Sequence, residues 1–435
     1  MSEFAELRVG DHVGFLSGFP FGSEYFNGEK GVRLIRIRDL LGGDDNVIYF
    51  SGPFDHKWLI VEGDVLIGMD GDFNIVRWKS EPALLNQRIL KVEGRQNSRI
   101  THDYFYYWCA PRLLEIHART AATTVKHLSV RDLERAVGDF PPVDEQRRIA
   151  TILTTLDEVI EATGKLVEKH QQIKSGLMHD LFTRGLWTQA ELARGDHKGL
   201  PCAATAKVGQ LRPTPDEAPR LYKNSPLGRI PKTWEMKKCI DLCETITVGI
   251  VVRPTQYYVT EGVPALRSAN IRETGIEMSD LVFITELSNA FLFKSKIKQG
   301  DVLSVRTGYP GTSAVVPPEL DGCNCIDILL SRPTEEIQSQ FLSNWINSSF
   351  GRGQVLSKQG GLAQQHFNVG ELRNLLVAVP SAAEQTAITA RLTSVSDRIS
   401  TEEAHIANLR QQKQGLMHDL LTGRVRVDTA PSKKS

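Results

Sequence analysis

The chain has 435 residues, 52 basic against 52 acidic side chains and a 41% hydrophobic composition. That length exceeds what one ordinary core sustains and implies two or three domains, while zero net charge neither requires nor excludes a nucleic-acid partner. No apolar run reaches the ~18 residues of a membrane span, and the start, MSEFAELRVGD, lacks a signal core, so the chain is expected to be cytoplasmic and free of membranes.

In chain order, "KGVRLIRIRDL" (30–40) and "GDVLIGMDGDF" (63–73) read as short strands punctuated by Gly and Asp turns, and "SVRDLERAV" (129–137) as a short helix. A long helix follows. Ile149, Leu153, Leu156, Ile160, Thr163, Val167, His170, Lys174, Leu177 and Leu181 alternate by four and three, the seam of a coiled coil. The next stretch carries Pro201, Pro213, Pro215 and Pro219 and reads as a linker. The pattern then starts again. "QGDVLSVRTGYPG" (299–311) and "NVGELRNLLVAV" (368–379) stand for the earlier strands and short helix. A second seam runs through Ile388, Leu392, Val395, Ile399, Glu402, Ile406, Leu409, Lys413, Leu416 and Leu420.

The two halves are in register at an offset of 239, from His127 and His366 through Glu145 and Glu384 to Thr183 and Thr422. Upstream the likeness persists as "GDVL" at 63–66 and 300–303, and as "VRLIR" (32–36) against "VPALR" (263–267). The organisation read from this is a first globular domain at 1–140, a helix at 141–186 and a linker at 187–224. A second domain at 225–379, a helix at 380–424 and a tail at 425–435 complete it. The fold class is α+β, two mixed α/β domains separated by two long antiparallel helices, with internal pseudo-twofold symmetry. Ser381 and Glu384 supply a capping box for the second helix, and Gly185 and Gly423 are suited to stop the two helices. Ile152, Val159, Leu166 and Ile173 widen the apolar face of the first helix, which is expected to be covered by packing within the chain or by a partner.

The motif search excludes several chemistries. Asp70, Asp72, Asn74 and Glu81 have the spacing of a calcium loop, but Ile75 stands where the loop needs glycine. No cysteine spacing matches a zinc motif, so no metal site is expected. No phosphate-binding glycine loop, dinucleotide fingerprint, HExxH or nucleophile elbow is present. "GLMHDL" occurs at 176–181 and 415–420, yet adjacent residues on a helix do not face each other, so His179 and Asp180 are not a dyad. The seam turns the leucines inward and His179 outward, and Gly176 and Gly415 are expected to leave room for a close neighbour. No catalytic residue is assigned.

The arrangement resembles the specificity subunits of type I restriction-modification systems. The segments that carry the likeness are "SGFPFGSEYF", "LIRIRDL", "GDVLIGMDG", "LLNQRI", "TAATTVKHLSVRDL", "PPVDEQRRIATILTTLDEVI", "PLGRIPKTWE" and "GLMHDL" near both helix ends. The first half lacks an opening like "GRIPKTWE", and the second has "ITVGIVVRPTQYY" in place of "FPFGSEYF". The resemblance implies two target-recognition domains that each read one half of a split, asymmetric DNA site. It also implies two modification (methyltransferase) subunits and two restriction (motor-nuclease) subunits as partners, and no catalytic centre in this chain. S-adenosylmethionine, ATP and magnesium are then expected on the partners and none on this chain. The helices would act as a ruler holding the domains about one DNA turn, ~34 Å, apart. A non-catalytic two-domain scaffold that joins proteins without reading DNA is the alternative.

Side chains able to read bases or hold phosphates, placed in polar loops, nominate the contacts. In the first domain these are Ser23, Arg77, Asn86, Gln87, Arg88, Thr124, Lys126 and His127. In the second they are Arg267, Arg306, Tyr309, Lys358, Gln359, Gln364, Gln365 and His366.

Overall fold

A computed structural model describes residues 4–42, 46–120, 126–200, 202–357 and 366–427. The chain divides into two compact units, one of residues 1–163 and 405–435, the other of residues 164–404. Thr124, Lys358, Gln359, Gln364 and Gln365, with Pro201 and the last eight residues of the tail, lie outside the described residues.

The first domain has β1 (Ala5–Arg8), β2 (Val13–Ser17), β3 (Val65–Gly68), β4 (Ile75–Arg77) and β5 (Ile89–Gly94). Helices α1 (His102–Arg119) and α2 (Val130–Arg135) and strand β6 (Val137–Phe140) follow. The long helix α3 spans Val143–Arg184. The second domain repeats the plan as β7 (Glu235–Lys238), β8 (Cys243–Val248), β9 (Val302–Val305), β10 (Ser313–Val315) and β11 (Ile328–Pro333). It closes with α4 (Ser339–Asn347), α5 (Val369–Asn374) and β12 (Leu376–Val379) before the long helix α6, Ala382–Leu421.

The duplication extends to the sheets. The order β2-β5-β3-β4 in the first domain is matched by β8-β11-β9-β10 in the second. Strands β1 and β6 pair antiparallel, and so do β7 and β12. A further sheet in each domain holds one parallel pairing, Val32–Ile35 with Ala83–Leu85 and Val263–Leu266 with Asn324–Cys325. The weak "VRLIR" and "VPALR" likeness therefore marks equivalent strands. Strands buried on both faces, such as Val65–Gly68 and Val302–Val305, show no alternation, which is why their neighbours could not be read from periodicity.

The seams pack as a helix pair within each unit. In the first unit Lys413 Nζ donates to Asp157 at 2.5 Å, and Arg426, just past α6, holds Glu145 near the start of α3 at 2.8 and 2.6 Å. The Val427 amide donates to the same carboxylate at 3.1 Å. The second unit repeats this clamp with the helices exchanged. Glu384, near the start of α6, accepts from Arg212 at 2.7 Å and from the Leu186 amide, just past α3, at 2.7 Å. In both units the start of one long helix is thus tied to the chain leaving the other, which fixes an antiparallel pairing. Gly185 and Gly423 end the helices at φ +63° and +72°. A Cβ at Gly185 would also stand 2.2 Å from the Arg212 guanidinium.

Four expectations are modified. The Glu384 amide does meet the Ser381 hydroxyl at 3.4 Å, but its carboxylate serves Arg212, Leu186 and Trp234 instead of closing the capping box. The proline-bearing stretch after α3 is packed, because Arg212 within it is fully buried between Glu191 and Glu384. Ile152, Val159 and Ile173 are exposed and Leu166 is half-buried, so packing among the described residues covers that face only in part. A Cβ added at Gly176 or Gly415 meets nothing within 4 Å among the described residues, so no close neighbour within them accounts for either glycine.

The clamps make folding acid-sensitive. The Arg426 guanidinium, against the cost of burial and with help from the Val427 amide, holds Glu145 below the usual carboxylate range. Burial would raise Glu191, but Arg212 and Thr188 bring it below that range. Both carboxylates bind protons more readily when unfolded. Their stabilisation is therefore complete above the ordinary value of about 4.3 and is lost as pH falls through the lower folded values. Urea midpoints measured from pH 7 to 3 are expected to drop below about pH 4, and Glu145→Gln to flatten part of the drop. Identical slopes for the variant and the parent would contradict this.

Candidate nucleic-acid interface

At one end of each central sheet three chain segments converge. In the first domain they are the turn after β3, the turn before β5 and the strand-like approach to α2. The Met69 amide donates to the Arg88 carbonyl at 2.8 Å, and the Leu128 amide to the Met69 carbonyl at 2.7 Å. The Gly71 amide donates to the Lys126 carbonyl at 3.2 Å. This backbone lattice sets three side chains together. His127 Nδ1 lies 2.6 Å from Asp70, and the Arg88 guanidinium lies 3.6 Å from Asp70 and 3.4 Å from His127. Arg88 sits at φ +75°, a sparsely used conformation for a residue with a side chain.

The second domain repeats part of this arrangement among the described residues. The Phe367 amide donates to the Arg306 carbonyl at 2.9 Å, and Thr307 bridges to His366 as Asp70 does to His127. The turns before β5 and β11 also correspond, since the Gln87 amide donates to the Phe19 carbonyl and the Asp327 amide to the Ile250 carbonyl. The charged side chains stand at different positions. Arg306 stands where the first domain has Met69 and Thr307 where it has Asp70, and Arg306 pairs at 2.7 Å with Asp327 in the turn before β11. A shared framework thus presents edges of different donor and acceptor pattern. Asp70 and Asp327, which hold and orient the nominated bases, were missed because each is assigned a partner only by the fold. Asp327 at φ +50° occupies the left-handed region that Asp tolerates best among charged residues.

A close approach on each side explains two glycines. A Cβ at Gly18 would stand 2.0 Å from the Asn86 carbonyl oxygen, and one at Gly249 would stand 2.4 Å from that of Cys325. Any side chain there pries the strand extension off the reading edge. Gly249→Ala is expected to cost about 1–3 kcal/mol in urea unfolding, and a parental midpoint would show that the segments separate freely.

The other nominated residues divide. Asn86 and Gln87 lie in the turn beside Arg88, with the Gln87 side chain exposed. Ser23 is exposed at the start of a short 3-10 helix beyond the central sheet. Tyr309 stands at the tip of the turn after β9 and is 84% exposed. Arg77 is turned toward α1, ion-paired with Asp103 at 2.9 Å and lying over the Tyr106 ring. Lys126 donates to the His117 carbonyl at 2.6 Å, closing the end of α1. Arg267 is held by Asp280 at 2.8 Å. Within the described residues the structure brings together Asn86, Gln87, Arg88 and His127 in one domain, and Arg306 and His366 in the other. An aromatic group of Phe19, Phe21, Phe50 and Trp58, with Lys57 Nζ 4.1 Å over the Trp58 ring, flanks the first edge through Phe19. Among the described residues no group of three or more His, Cys, Asp or Glu side chains is placed to hold a metal ion. No helix among them is long and apolar enough to cross a membrane.

Comparison with known proteins fits these observations. Residues 9–171 match the family described as the type I restriction modification DNA specificity domain. Over 417 residues the chain is 28% identical to the specificity subunit of the type I restriction enzyme EcoBI from Escherichia coli, covering 91% of this chain and 81% of that one. It is 24% identical over 453 residues to the MjaVIII specificity subunit of Methanocaldococcus jannaschii, covering 97% of this chain and 92% of that one. The fold is similar to the crystal structure of the type I restriction-modification S subunit from M. genitalium, with a TM-score of 0.58 at 13% identity over 96% of each chain.

Proposed function

We propose that this chain, which belongs to the specificity subunits of type I restriction-modification systems and serves DNA sequence recognition, reads the two unlike halves of a split site, one with each domain. The observation that carries the proposal is the pair of equivalent sheet edges that carry different charged side chains. Arg88 and His127 offer donors beside Asp70, and Arg306 offers its donors beside Asp327. Guanidinium groups suit guanine edges and phosphates, and Asn86 and Gln87 in the adjacent turn suit adenine. Arg77, Lys126 and Arg267 each hold an intrachain partner, as Arg306 does, and stay among the candidates for contacts with bound DNA. Ser23 and Tyr309 remain candidates for phosphate or base-stacking contacts, together with Thr124, Lys358, Gln359, Gln364 and Gln365.

In this reading the chain does not catalyse. Methylation and cleavage belong to two modification and two restriction subunits, which carry S-adenosylmethionine, ATP and magnesium, and the complex works in the cytoplasm. The scaffold alternative draws no support from the family match. Mapping methylated bases across the genome with and without this gene, while its methyltransferase partner is expressed, tests the function. A bipartite motif is expected to vanish on deletion, and persistence of every motif would refute the reading. The native mass of the chain purified with that partner tests the assembly, two modification subunits per chain being expected and any other ratio ruling it out.

A further inference from the structure

The pseudo-twofold register exposes a polar cluster that is complete in one unit and lacks its acid in the other. In the first unit Asp157 of α3 accepts from Lys413 Nζ at 2.5 Å and from the Tyr107 hydroxyl at 2.8 Å, and that hydroxyl lies 3.1 Å from Thr154. The equivalent residues in the second unit follow from two offsets. Along the long helices the offset is 239, so Lys413, Asp157 and Thr154 correspond to Lys174, Ser396 and Thr393. Between α1 and α4 the register is set by a matched glutamine clamp. Gln146 accepts from the Thr101 amide at 2.8 Å and Gln385 from the Gln338 amide at 2.9 Å, which makes Asn344 the equivalent of Tyr107.

The carboxylate that neutralises Lys413 has therefore become the hydroxyl of Ser396. Lys174 is nevertheless 92% buried (8% exposed), and among the described residues it makes no hydrogen bond or ion pair. Glu273 and Glu403 act on it only at longer range, and Glu273 is itself bound to Arg352. The Asn344 amide nitrogen is also buried without a partner. The ammonium group is thus left without a counter-charge on a side chain that is largely enclosed, which is costly, while its nitrogen is not sealed from solvent. Lys174 lines a cavity of about 800 Å³ together with Gln171, His179, Asn347, Arg352 and the Glu273 carboxylate that Arg352 neutralises. His179, the outward histidine of the first "GLMHDL", stands there with its ring parallel to that of Phe350 at 6.1 Å.

We infer that this cavity binds a small oxyanion, a phosphate or a carboxylate, whose oxygens take the place beside Lys174 that Asp157 occupies beside Lys413. The site is independent of DNA reading, so its failure would leave that function untouched. Titration calorimetry on the full chain at constant ionic strength, with inorganic phosphate and separately with acetate, tests it. Saturable binding is expected for the parent, with tighter binding of phosphate assigning a phosphate ligand and tighter binding of acetate a carboxylate. Lys174→Gln is expected to weaken binding at least tenfold. Ser396→Asp supplies the carboxylate from within the chain, so it is expected to abolish anion binding and to raise the thermal midpoint. Should Ser396→Asp fail to fold, Lys174→Gln decides. No saturable binding of either anion by the parent, or undiminished binding in Lys174→Gln, overturns the inference.

Discussion

Arg212→Met is expected to destabilise the second unit by about 3–5 kcal/mol, the largest loss foreseen for a single substitution outside the apolar core. Arg212 is fully buried, donates to Glu191 at 2.9 and 2.7 Å and to Glu384 at 2.7 Å, and also reaches the Arg184 carbonyl at 3.1 Å. Removing the guanidinium leaves two carboxylates buried beside the end of α3. Glu384 would retain only the Leu186 amide and the Trp234 indole nitrogen, at 2.7 and 3.0 Å. Chemical denaturation measures the loss. A triple variant with Glu191→Gln and Glu384→Gln is expected to regain part of it, because the penalty lies mainly in the stranded charges. A loss below 1 kcal/mol for Arg212→Met would show that the clamp is not closed in solution. The equivalent change in the first unit, Arg426→Met, is expected to cost less, since Arg426 is partly exposed and Glu145 would keep the Val427 amide.

Arg88→Ala and Tyr309→Ala are expected to damage opposite halves of the DNA site while leaving the fold intact. Both side chains are more than half exposed, so truncation removes little packing. Loss of a base contact weakens binding by about 1–3 kcal/mol and relaxes specificity at that position. Arg88 is the stronger candidate for base readout, because its exposed guanidinium lies beside the Asp70 carboxylate at a strained backbone position. Tyr309 offers a ring face for stacking, and its loss is expected to weaken one half-site without a change of salt dependence. Competition binding with oligonucleotides altered in one half at a time separates the outcomes. A loss of equal size on every sequence would identify phosphate contacts instead.

How much of this was written in the sequence depends on what each residue answers to. The seams, the register of 239 and the helix stops at Gly185 and Gly423 were legible because local periodicity and backbone conformation decide them. The equivalence of "VRLIR" and "VPALR" was legible only as a likeness; that both are strands with a parallel neighbour required the sheet. Polar residues were the least readable. Arg77 and Arg88 look alike in a loop-rich segment, yet one is spent on Asp103 and the other held at the open edge. Glu384 completes a capping box on paper, but Arg212, 172 residues away in sequence, claims its carboxylate. Such pairings are set by topology, and no spacing rule reports them.

The central claim is that two copies of one framework read two different half-sites, and methylated-base mapping tests it most directly. Cells would express the methyltransferase partner with the parent chain, with Arg88→Ala or with Tyr309→Ala. A split motif with unlike halves is expected for the parent, with each variant losing stringency in one half only, and in different halves. A motif with identical halves, or the same loss for both variants across the whole site, would contradict the account.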